Sequence, residues 1–383
     1  MPNLSVMVDR LKLLDACQSA AKVVKGRTSL PILEHLKLTM RNDRLSVSGT
    51  DLEVWIEISI APSDLLASDG EITLPASIIV PLLTAMQGSS VSIRAIESNA
   101  VSVECGKSKT KVLGFNPAEF PEMPVVDTAN ASVCILASDL STAIKQTVIA
   151  TSQDATHYIL QGVAIQTTDD KLAFIGCDRY SLAVRTLETH VEGSVSAVVM
   201  NTHASRLASI LPGSGTATME FFEKQSRTKW VDGDIAYTFV TRLIDGQYID
   251  WRKYLDALSV VGSYDVDLKS FRSAFAQAKL FDKPAAGQWG CVFFVNGEGD
   301  AIEMHSQNGY IGESTASVDV RKSGELPQRV GFTPGFISEV LGVIATDDLY
   351  VEMLKSAKDD YAICLMPADG TGDYRCSISA QNH

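Results

Sequence analysis

The chain alternates between two hydrophobic patterns, one with a period of two residues and one with the period of a helix. Residues 36–41 alternate apolar and polar side chains, and the alternation resumes after the polar pair Asn42-Asp43. It continues through residues 54–60, 91–93 and 101–103. Period-two runs joined by short polar turns predict antiparallel hairpins with one buried face.

Segments with helical spacing separate these hairpins. Three of them begin near Asp9, Ser138 and Asp267, 129 residues apart, and each opens on a residue type that caps helix N-termini. A second helix follows in each third of the chain. The predicted helices cover residues 9–27, 75–88, 138–154, 201–214, 267–283 and 333–346. Pro81 stands inside the second one, where it predicts a late start or a kink.

The same order of elements recurs three times along the 383 residues. Each third reads as strand, helix and three strands, given twice, which predicts an α+β domain with helices on one face of antiparallel sheet. The hairpin after each first helix also ends alike, in residues 48–54, 175–184 and 305–311. We therefore predict three repeated domains, spanning residues 1–126, 127–262 and 263–383.

Composition favours a globular protein of the cytoplasm. Hydrophobic residues make up 45% of the chain and charged residues 21%, which is ordinary for a protein with several buried cores. The N-terminus lacks a signal-peptide pattern, and no apolar run approaches the roughly 18 residues that span a bilayer. Seven cysteines, an odd number without paired spacing, favour reduced thiols. We expect a cytoplasmic protein with no membrane partner.

An enzyme is the competing class, and the motifs that would support it are absent. The chain has no Gly-rich phosphate loop ending in Lys-Ser/Thr, no His-Glu-x-x-His and no Gly-x-Ser-x-Gly. Its histidines and cysteines show no metal-ligand spacing. Asp51, Asp178 and Asn308 occupy equivalent positions of the repeat, so turn capping explains them better than acid–base chemistry. We expect no catalytic residue, no metal and no cofactor.

Four motifs, in order within the threefold repeat, resemble the β sliding clamp family of bacterial DNA polymerase III. They are Arg27 with Leu30-Pro31-Ile32-Leu33, Gly49-Thr50-Asp51-Leu52-Glu53, Phe120-Pro121, and Leu243-x-Asp245-Gly246-x-Tyr248. The resemblance covers essentially the whole chain. It implies a clamp (processivity-factor) fold, a head-to-tail ring of two chains with helices inside and sheets outside, which encircles duplex DNA without reading its sequence.

The resemblance also implies the partners. They are double-stranded DNA, a second copy of the chain, the replicative DNA polymerase, the clamp loader and other proteins that carry clamp-binding motifs. The net charge of −13 would argue against DNA binding if it were evenly spread. The six predicted helices carry 11 Lys+Arg and 7 Asp+Glu, a net of +4, so the remainder carries −17. A mildly basic hole inside an acidic exterior would keep DNA in the hole.

The resemblance identifies DNA-facing residues on and beside these helices. They are Arg10, Lys22, Lys25, Arg27, Gln153, Tyr158, Lys269 and Arg272. The simpler alternative for the cations is a set of solvated helix charges. Arg27 matches a DNA-contacting position of the family, whereas Lys269 and Arg272 are weaker candidates.

A second set of residues matches the family's pocket for short linear motifs. They are Leu160, Cys177, Tyr180, Leu182, Ile249, Lys253, Tyr254 and Ile378. The alternative is ordinary core and loop residues. The chain departs from the family at Ile249, where proline is usual, and at Tyr180-Ser181, where His-Arg is common. Ser377 and Ile378 also stand near the place of a Met-rich strand, so we expect a narrower motif preference.

A third set matches the joint between subunits. Thr110 and Val112 match one side, and Leu280 and Phe281 match the other. Lys107 and Lys109 belong to the same segment as Thr110, and Glu313 is the nearest candidate for an acidic strand that would face it. The alternation of basic and smaller residues in 107–112 is typical of an edge strand that avoids indiscriminate pairing. A free edge is the alternative for this segment. For the whole chain, the second alternative is a clamp-like protein that binds partners without encircling DNA.

Overall fold

Each third of the chain folds in the predicted order of strand, helix and three strands, twice over. The computed structural model describes residues 4–24, 26, 28–63, 67–97, 99–124, 128–169, 171–282, 290–369 and 372–381. The first third contains β1 (Ser5–Asp9), α1 (Arg10–Ala21), β2 (His35–Arg41), β3 (Arg44–Thr50), β4 (Val54–Ile60), β5 (Gly70–Pro75), α2 (Ala76–Ala85), β6 (Ser90–Ala95), β7 (Ala100–Cys105) and β8 (Ser108–Leu113).

The other two thirds repeat this order with small additions. The middle third contains β9 (Ala131–Leu136), α3 (Ala137–Val148), β10 (Gly162–Thr168), β11 (Lys171–Cys177), β12 (Ser181–Glu188), β13 (Val191–Glu192), β14 (Ser196–Met200), α4 (Asn201–Ile210), β15 (Thr216–Phe221), β16 (Gln225–Asp232) and β17 (Ile235–Arg242). α5 (Trp251–Asp256) ends the middle third. The last third contains β18 (Leu258–Asp267), which begins before the predicted boundary, α6 (Leu268–Lys279), β19 (Val292–Asn296), β20 (Ala301–Asn308), β21 (Gly312–Asp319), β22 (Arg321–Gly324), β23 (Arg329–Phe332), α7 (Pro334–Val343), β24 (Asp348–Ser356), β25 (Tyr361–Pro367) and β26 (Tyr374–Ser379). Short 3-10 helices lie at Pro31–Glu34, Pro117–Glu119 and Ala155–Gln161.

The strands form four sheets, and the chain divides into two compact units. The first unit holds residues 1–141, 189–195 and 205–243, and the second holds 142–188, 196–204 and 244–383. The sheets of the first unit have the strand orders β13-β9-β15-β16-β17-β4-β3-β2-β5 and β1-β6-β7-β8. Those of the second have the orders β14-β10-β11-β12-β26-β25-β24-β18-β22 and β21-β20-β19-β23. All strand pairs within these four sheets are antiparallel, which confirms the predicted fold class.

α1 and α6 begin where their caps predict, whereas α3 begins at Ala137 and so includes the predicted cap Ser138. These helices end earlier than the hydrophobic pattern suggests. Asp9 accepts hydrogen bonds from the amides of the first turn of α1, and Asp267 does the same for α6. α1 ends at Ala21, so the predicted extension to residue 27 is wrong. α2 begins at Ala76 and continues through Pro81, so the late start is wrong as well. A helix needs hydrogen-bonded turns, and apolar spacing alone can run on beyond them.

The cores lie between the helices and the sheets. In the first unit, α1 buries Leu13, Cys17 and Ala20 against β3 and β4. In the second unit, Phe271 of α6 stacks on Phe294 of β19, with ring centroids 6.0 Å apart. None of the described helices is long and apolar enough to cross a membrane.

The three-domain division stays a prediction. Residues 125–127, which hold the boundary at 126, lie outside the described residues. The boundary near 262 falls within β18, where the pairing with β24 shifts register between Val260 and Gly262. The middle third contributes strands to both nine-stranded sheets, because β12 pairs with β26 in the second unit and β17 with β4 in the first.

Candidate functional site

Asp51, Asp178 and Asn308 cap equivalent turns. Oδ1 of Asp51 accepts from the amides of Glu53 and Val54, at 3.1 and 2.9 Å. Oδ1 of Asp178 accepts from the amides two and three residues on, at 2.9 and 2.6 Å. Oδ1 of Asn308 accepts from the amide two residues on, at 3.0 Å. The prediction of turn capping is confirmed in all three repeats.

Asp51 also forms an ion pair. Its Oδ2 receives a hydrogen bond of 2.7 Å from Nη1 of Arg206 in α4, and its side chain is 1% exposed. Burial acts to raise the pKa of Asp51, but the hydrogen bond from Arg206 and the two turn amides outweigh it and lower the pKa. Asp51 is therefore a buried, ionised structural group.

Three of the predicted DNA-facing cations donate to carbonyl groups at helix C-termini. Arg10 donates from Nη1 to Leu83 O at 2.9 Å, in the last turn of α2, and from Nε to Gly88 O at 2.8 Å, just beyond that helix. Lys22 donates to Ser209 O in the last turn of α4, at 2.7 Å. Carbonyls in the last turn lack partners inside their helices and carry partial negative charge.

Arg272 repeats the arrangement in the last third. Its Nη2 donates to Ile344 O at 2.8 Å and also to Leu341 O, at the end of α7. In each unit, therefore, an arginine side chain donates hydrogen bonds to carbonyl groups at the C-terminus of a helix. Sequence reasoning missed this role, because nothing local to Arg10, Lys22 or Arg272 reveals which helix end lies beside it.

The other DNA-facing candidates divide into two groups. Lys269, Gln153 and Tyr158 are exposed, and Tyr158 shows 55% of its surface. Lys25 and Arg27 lie outside the described residues. Whether any of the eight candidates contacts DNA stays a prediction.

Several residues of the predicted partner pocket gather in one apolar cluster of the second unit. We call it the Leu160 cluster; its buried members are Leu160, Ala164, Ala173, Ile175, Cys177, Leu182, Val184, Val198, Ile244 and Tyr248. Cys177 and Leu182 are direct cross-strand partners, and Leu160 comes from the 3-10 helix before β10. Burial raises the pKa of the Cys177 thiol, which suits a packing role.

The remaining pocket candidates lie outside this cluster, in the turn after Cys177 and in the residues that follow Tyr248. Ile249 and Tyr254 are each 36% exposed, and Tyr254 Oη lies 3.3 Å from Oγ of Ser379. Lys253 is exposed and pairs with Asp250 at 3.0 Å. Tyr180 is exposed and stacks on Phe336 of α7, with ring centroids 6.4 Å apart.

Ile378 does not belong with these residues, so its assignment to the pocket is wrong. It is fully buried in a different core cluster, together with Phe271 of α6. Ile378 pairs with Ser181, whereas Ser377 pairs with Leu182. Paired residues share a face of the sheet, so Ser377 lies on the Leu182 face. The prediction put Ile378 beside Ser377 by position alone and ignored this alternation.

The predicted joint residues lie at two open sheet edges. β8 is an edge strand of the first unit, with Val112 buried and Lys109 exposed. Lys109 pairs with Glu104 at 2.8 Å, and Lys107 is exposed in the preceding turn. Thr110 lies half-buried between them and Val112.

β21 is the corresponding edge strand of the second unit. It carries the exposed Glu313, and the adjoining end of α6 carries Leu280, 68% exposed, and the half-buried Phe281. A Cβ placed on Gly312 would lie 3.6 Å from the Phe281 ring. The turn before β21 exposes Tyr310 by 94%, an apolar addition to this edge that sequence reasoning missed.

The Phe120-Pro121 motif borders a surface cavity of about 580 Å³ in the first unit. The cavity lies between β2–β4 and residues 117–123. Lys37 and Arg41 line it, and each pairs with Glu71 at 3.0 Å. Within the part of the chain that the structure describes, no three His, Cys, Asp or Glu side chains form a metal site.

Two family models match the chain. The model described as DNA polymerase III beta subunit, N-terminal domain, matches residues 4–124. The model described as DNA polymerase III beta subunit, central domain, matches residues 135–250. Together they cover more than half of the sequence.

Individual relatives agree with the family models. A protein named Beta sliding clamp from Staphylococcus aureus (strain Mu50 / ATCC 700699) is 23% identical over 343 residues, which is 88% of this chain and 89% of the relative. The crystal structure of a DNA polymerase sliding clamp from Bacillus subtilis matches with a TM-score of 0.88 at 22% identity, over 100% of both chains. A Pseudomonas aeruginosa sliding clamp bound to griselimycin matches with a TM-score of 0.89 at 22% identity, again over 100% of both chains. At these identities the structural match is evidence for the fold.

Proposed function

The chain belongs to the DNA polymerase III beta subunit family, and we propose that two copies close into a ring around duplex DNA. The family is the sliding clamp, a non-catalytic processivity factor, and this chain is a DNA sliding clamp. The observation that carries the proposal is the strand–helix–three-strand unit, present twice in each third of the chain. Three such thirds per chain give six in a closed dimer.

In the proposed dimer, the joint between the two copies pairs two different edge strands. We place β8 of one copy beside β21 of the second copy, because both are edge strands with free hydrogen-bonding groups. Lys109 and Lys111 on β8 are exposed, as are Glu313 and Asp319 on β21. Opposite charges favour this pairing over β8 with β8 or β21 with β21. Leu280 and Phe281 at the end of α6 would supply the buried apolar contact.

The DNA contact is weak and electrostatic. Lys269, Gln153 and Tyr158 are exposed, while Arg10, Lys22 and Arg272 place their charge at helix ends and keep further donors. Such groups can meet phosphates without reading bases, which is what sliding requires. The acidic remainder of the chain would repel DNA from other surfaces.

We place the partner site at the Leu160 cluster, together with the exposed Ile249 and Tyr254 of the segment that follows Tyr248. Its apolar floor suits the anchor of a short peptide, and the exposed polar groups around it would orient that peptide. We assign the replicative polymerase and the clamp loader to this site as peptide donors. Ser377, and not the predicted Ile378, pairs with Leu182 and lies on the same face of the sheet.

One observation favours a second candidate, a clamp-like protein that binds partners without encircling DNA. Arg10, Lys22 and Arg272 each serve a helix C-terminus, so their charge is partly neutralised by the carbonyls that they cap. Such a protein has no need for a closed ring. The two candidates therefore differ in oligomeric state.

Light scattering of the purified chain separates them. We expect a dimer of about 83 kDa, twice the 41.3 kDa of one chain. The dimer should persist at micromolar concentration in near-physiological salt. A strict monomer under these conditions would contradict the ring and leave the partner-binding candidate.

A further inference from the structure

Arg179 occupies an unusual backbone position beside the Leu160 cluster. It lies in the turn between Cys177, the last residue of β11, and Ser181, the first of β12. Its φ is +84°, in the left-handed region that favours glycine, and its side chain is exposed. A residue with a long charged side chain at such a position is held there by the capped turn around it.

The guanidinium group of Arg179 is oriented by a histidine. Nη1 lies 2.9 Å from Nε2 of His157, in the 3-10 helix that also supplies Leu160. Because a guanidinium carries only donors, the Nε2 atom of His157 is the acceptor in this contact. The contact joins the two segments that supply the floor of the cluster, and so fixes the charge at its border.

No carboxylate of the described residues forms an ion pair with Arg179. Asp178 caps its own turn. Asp154 accepts from the amide of Thr156 at 2.9 Å, and the charge of Arg179 helps to lower its pKa without a direct ion pair between the two. The guanidinium group therefore keeps donors beyond the one that contacts His157. That arrangement suits a two-point contact with a carboxylate.

We propose that Arg179 is a specificity residue of the partner site, which binds the carboxylate of an acidic residue in the peptide whose apolar anchors lie on the Leu160 cluster. The inference rests on the proposed function of that cluster. It adds a chemical requirement that the cluster itself does not impose, since apolar contacts cannot distinguish an Asp from an Asn beside the anchors.

Lys171 provides the matched control. It stands at the other end of β11 from Cys177, and it already pairs with Glu188 at 2.8 Å. Its charge is therefore neutralised within the chain. Arg179→Gln removes the charge and keeps part of the length, and Arg179→Gly removes it with the residue best suited to the positive φ. Loss of folding cannot explain a result that both variants share.

The test uses pairs of peptides titrated into the full chain by calorimetry. Each pair is built on Gln-Leu-x-Leu-Phe and carries either Asp or Asn before the motif, at x, or after the motif. For one position we expect the Asp peptide to bind roughly three- to tenfold more tightly than its Asn twin. The preference should vanish in Arg179→Gln and Arg179→Gly and persist in Lys171→Gln. Affinity for the Asn twin should stay unchanged in all variants, which a merely structural role would not allow.

Two results would overturn the inference while leaving the partner site in place. One is equal binding of the Asp and Asn twins to the wild type at every position. The other is a preference for Asp that survives in both Arg179 variants. If no peptide of either kind binds the wild type, the proposed partner site itself is wrong and the inference goes with it.

Discussion

Arg206 and Asp51 lie 155 residues apart in sequence and form an ion pair of 2.7 Å. The carboxylate is almost wholly buried, whereas the guanidinium is one-quarter exposed. Removal of one partner from such a pair leaves a buried charge without compensation. The pair therefore holds α4 against the β3–β4 turn more firmly than any exposed ion pair could.

We expect Arg206→Met to lower the free energy of unfolding by roughly 3–5 kcal/mol, the usual result of breaking a buried pair. Urea denaturation at pH 7 measures the change. Lys171→Met is the control, because it breaks an exposed pair between Lys171 and Glu188. That variant should unfold at the wild-type midpoint. Equal effects of the two substitutions would contradict the special role of Arg206.

The same pair predicts a pH dependence. The pKa of Asp51 is lower in the folded chain than its ordinary value of 3.8, so the unfolded chain binds the proton more readily. Asp51 thus contributes stability above pH 3.8 that is lost as the pH falls through its folded pKa. In Arg206→Met the stabilising hydrogen bond is gone. Its Tm should therefore fall less between pH 5 and pH 3 than the Tm of the wild type, as measured by calorimetry.

The joint is tested by its apolar contact. Two side chains such as Leu280 and Phe281 contribute roughly 3–6 kcal/mol per joint when buried. The double variant Leu280→Ala/Phe281→Ala should therefore be a folded monomer by sedimentation. Leu136→Ala removes a comparably exposed leucine from β9, away from either edge of the joint, and should remain dimeric. A double variant that stays dimeric would place the joint elsewhere.

A sliding clamp should bind linear DNA weakly, and a loaded ring should stay on DNA only while the DNA is circular. Affinity for a short linear duplex should be low and should fall steeply with salt, because it depends on phosphate contacts alone. Rings loaded onto a nicked circle should remain through gel filtration and should leave after the circle is cut. Tight, sequence-selective binding to the short duplex would be the contrary result.

The partner site is tested by a charge placed in its floor. A polymerase-type peptide, Gln-Leu-x-Leu-Phe, should bind, but more weakly than it binds a typical bacterial clamp, because Ser377 replaces adaptable side chains beside Leu182. Leu182→Asp should abolish the binding in calorimetry, and Leu136→Asp should not. Equal affinity of wild type and Leu182→Asp would move the site elsewhere, and no binding to either would indicate a partner with a different motif.

The sequence predicted the elements better than it predicted their contacts. Alternation and helical spacing are local, so the repeated strand–helix–three-strand order could be found without a structure. The helix-capping roles of Arg10 and Arg272 depend on chain segments about 70 residues away, and the partner of Asp51 is farther still. Ile378 was misplaced for a different reason. A strand turns successive side chains to opposite faces, so a one-residue choice of register moves a side chain from one surface to the other.

The capped turns at Asp51, Asp178 and Asn308 bear on how the three copies could diverge. In each turn the fold is secured by the Asx side chain and the amides that it binds, and the next residue contributes little to that network. That residue is Leu52 in the first copy, Arg179 in the second and Gly309 in the third. In a repeated protein, each such turn has a backbone conformation that one Asx side chain stabilises, while the side chain of the next residue takes no part in those hydrogen bonds. Mutation at such a neighbour could alter recognition in one copy and leave the folding of all three intact.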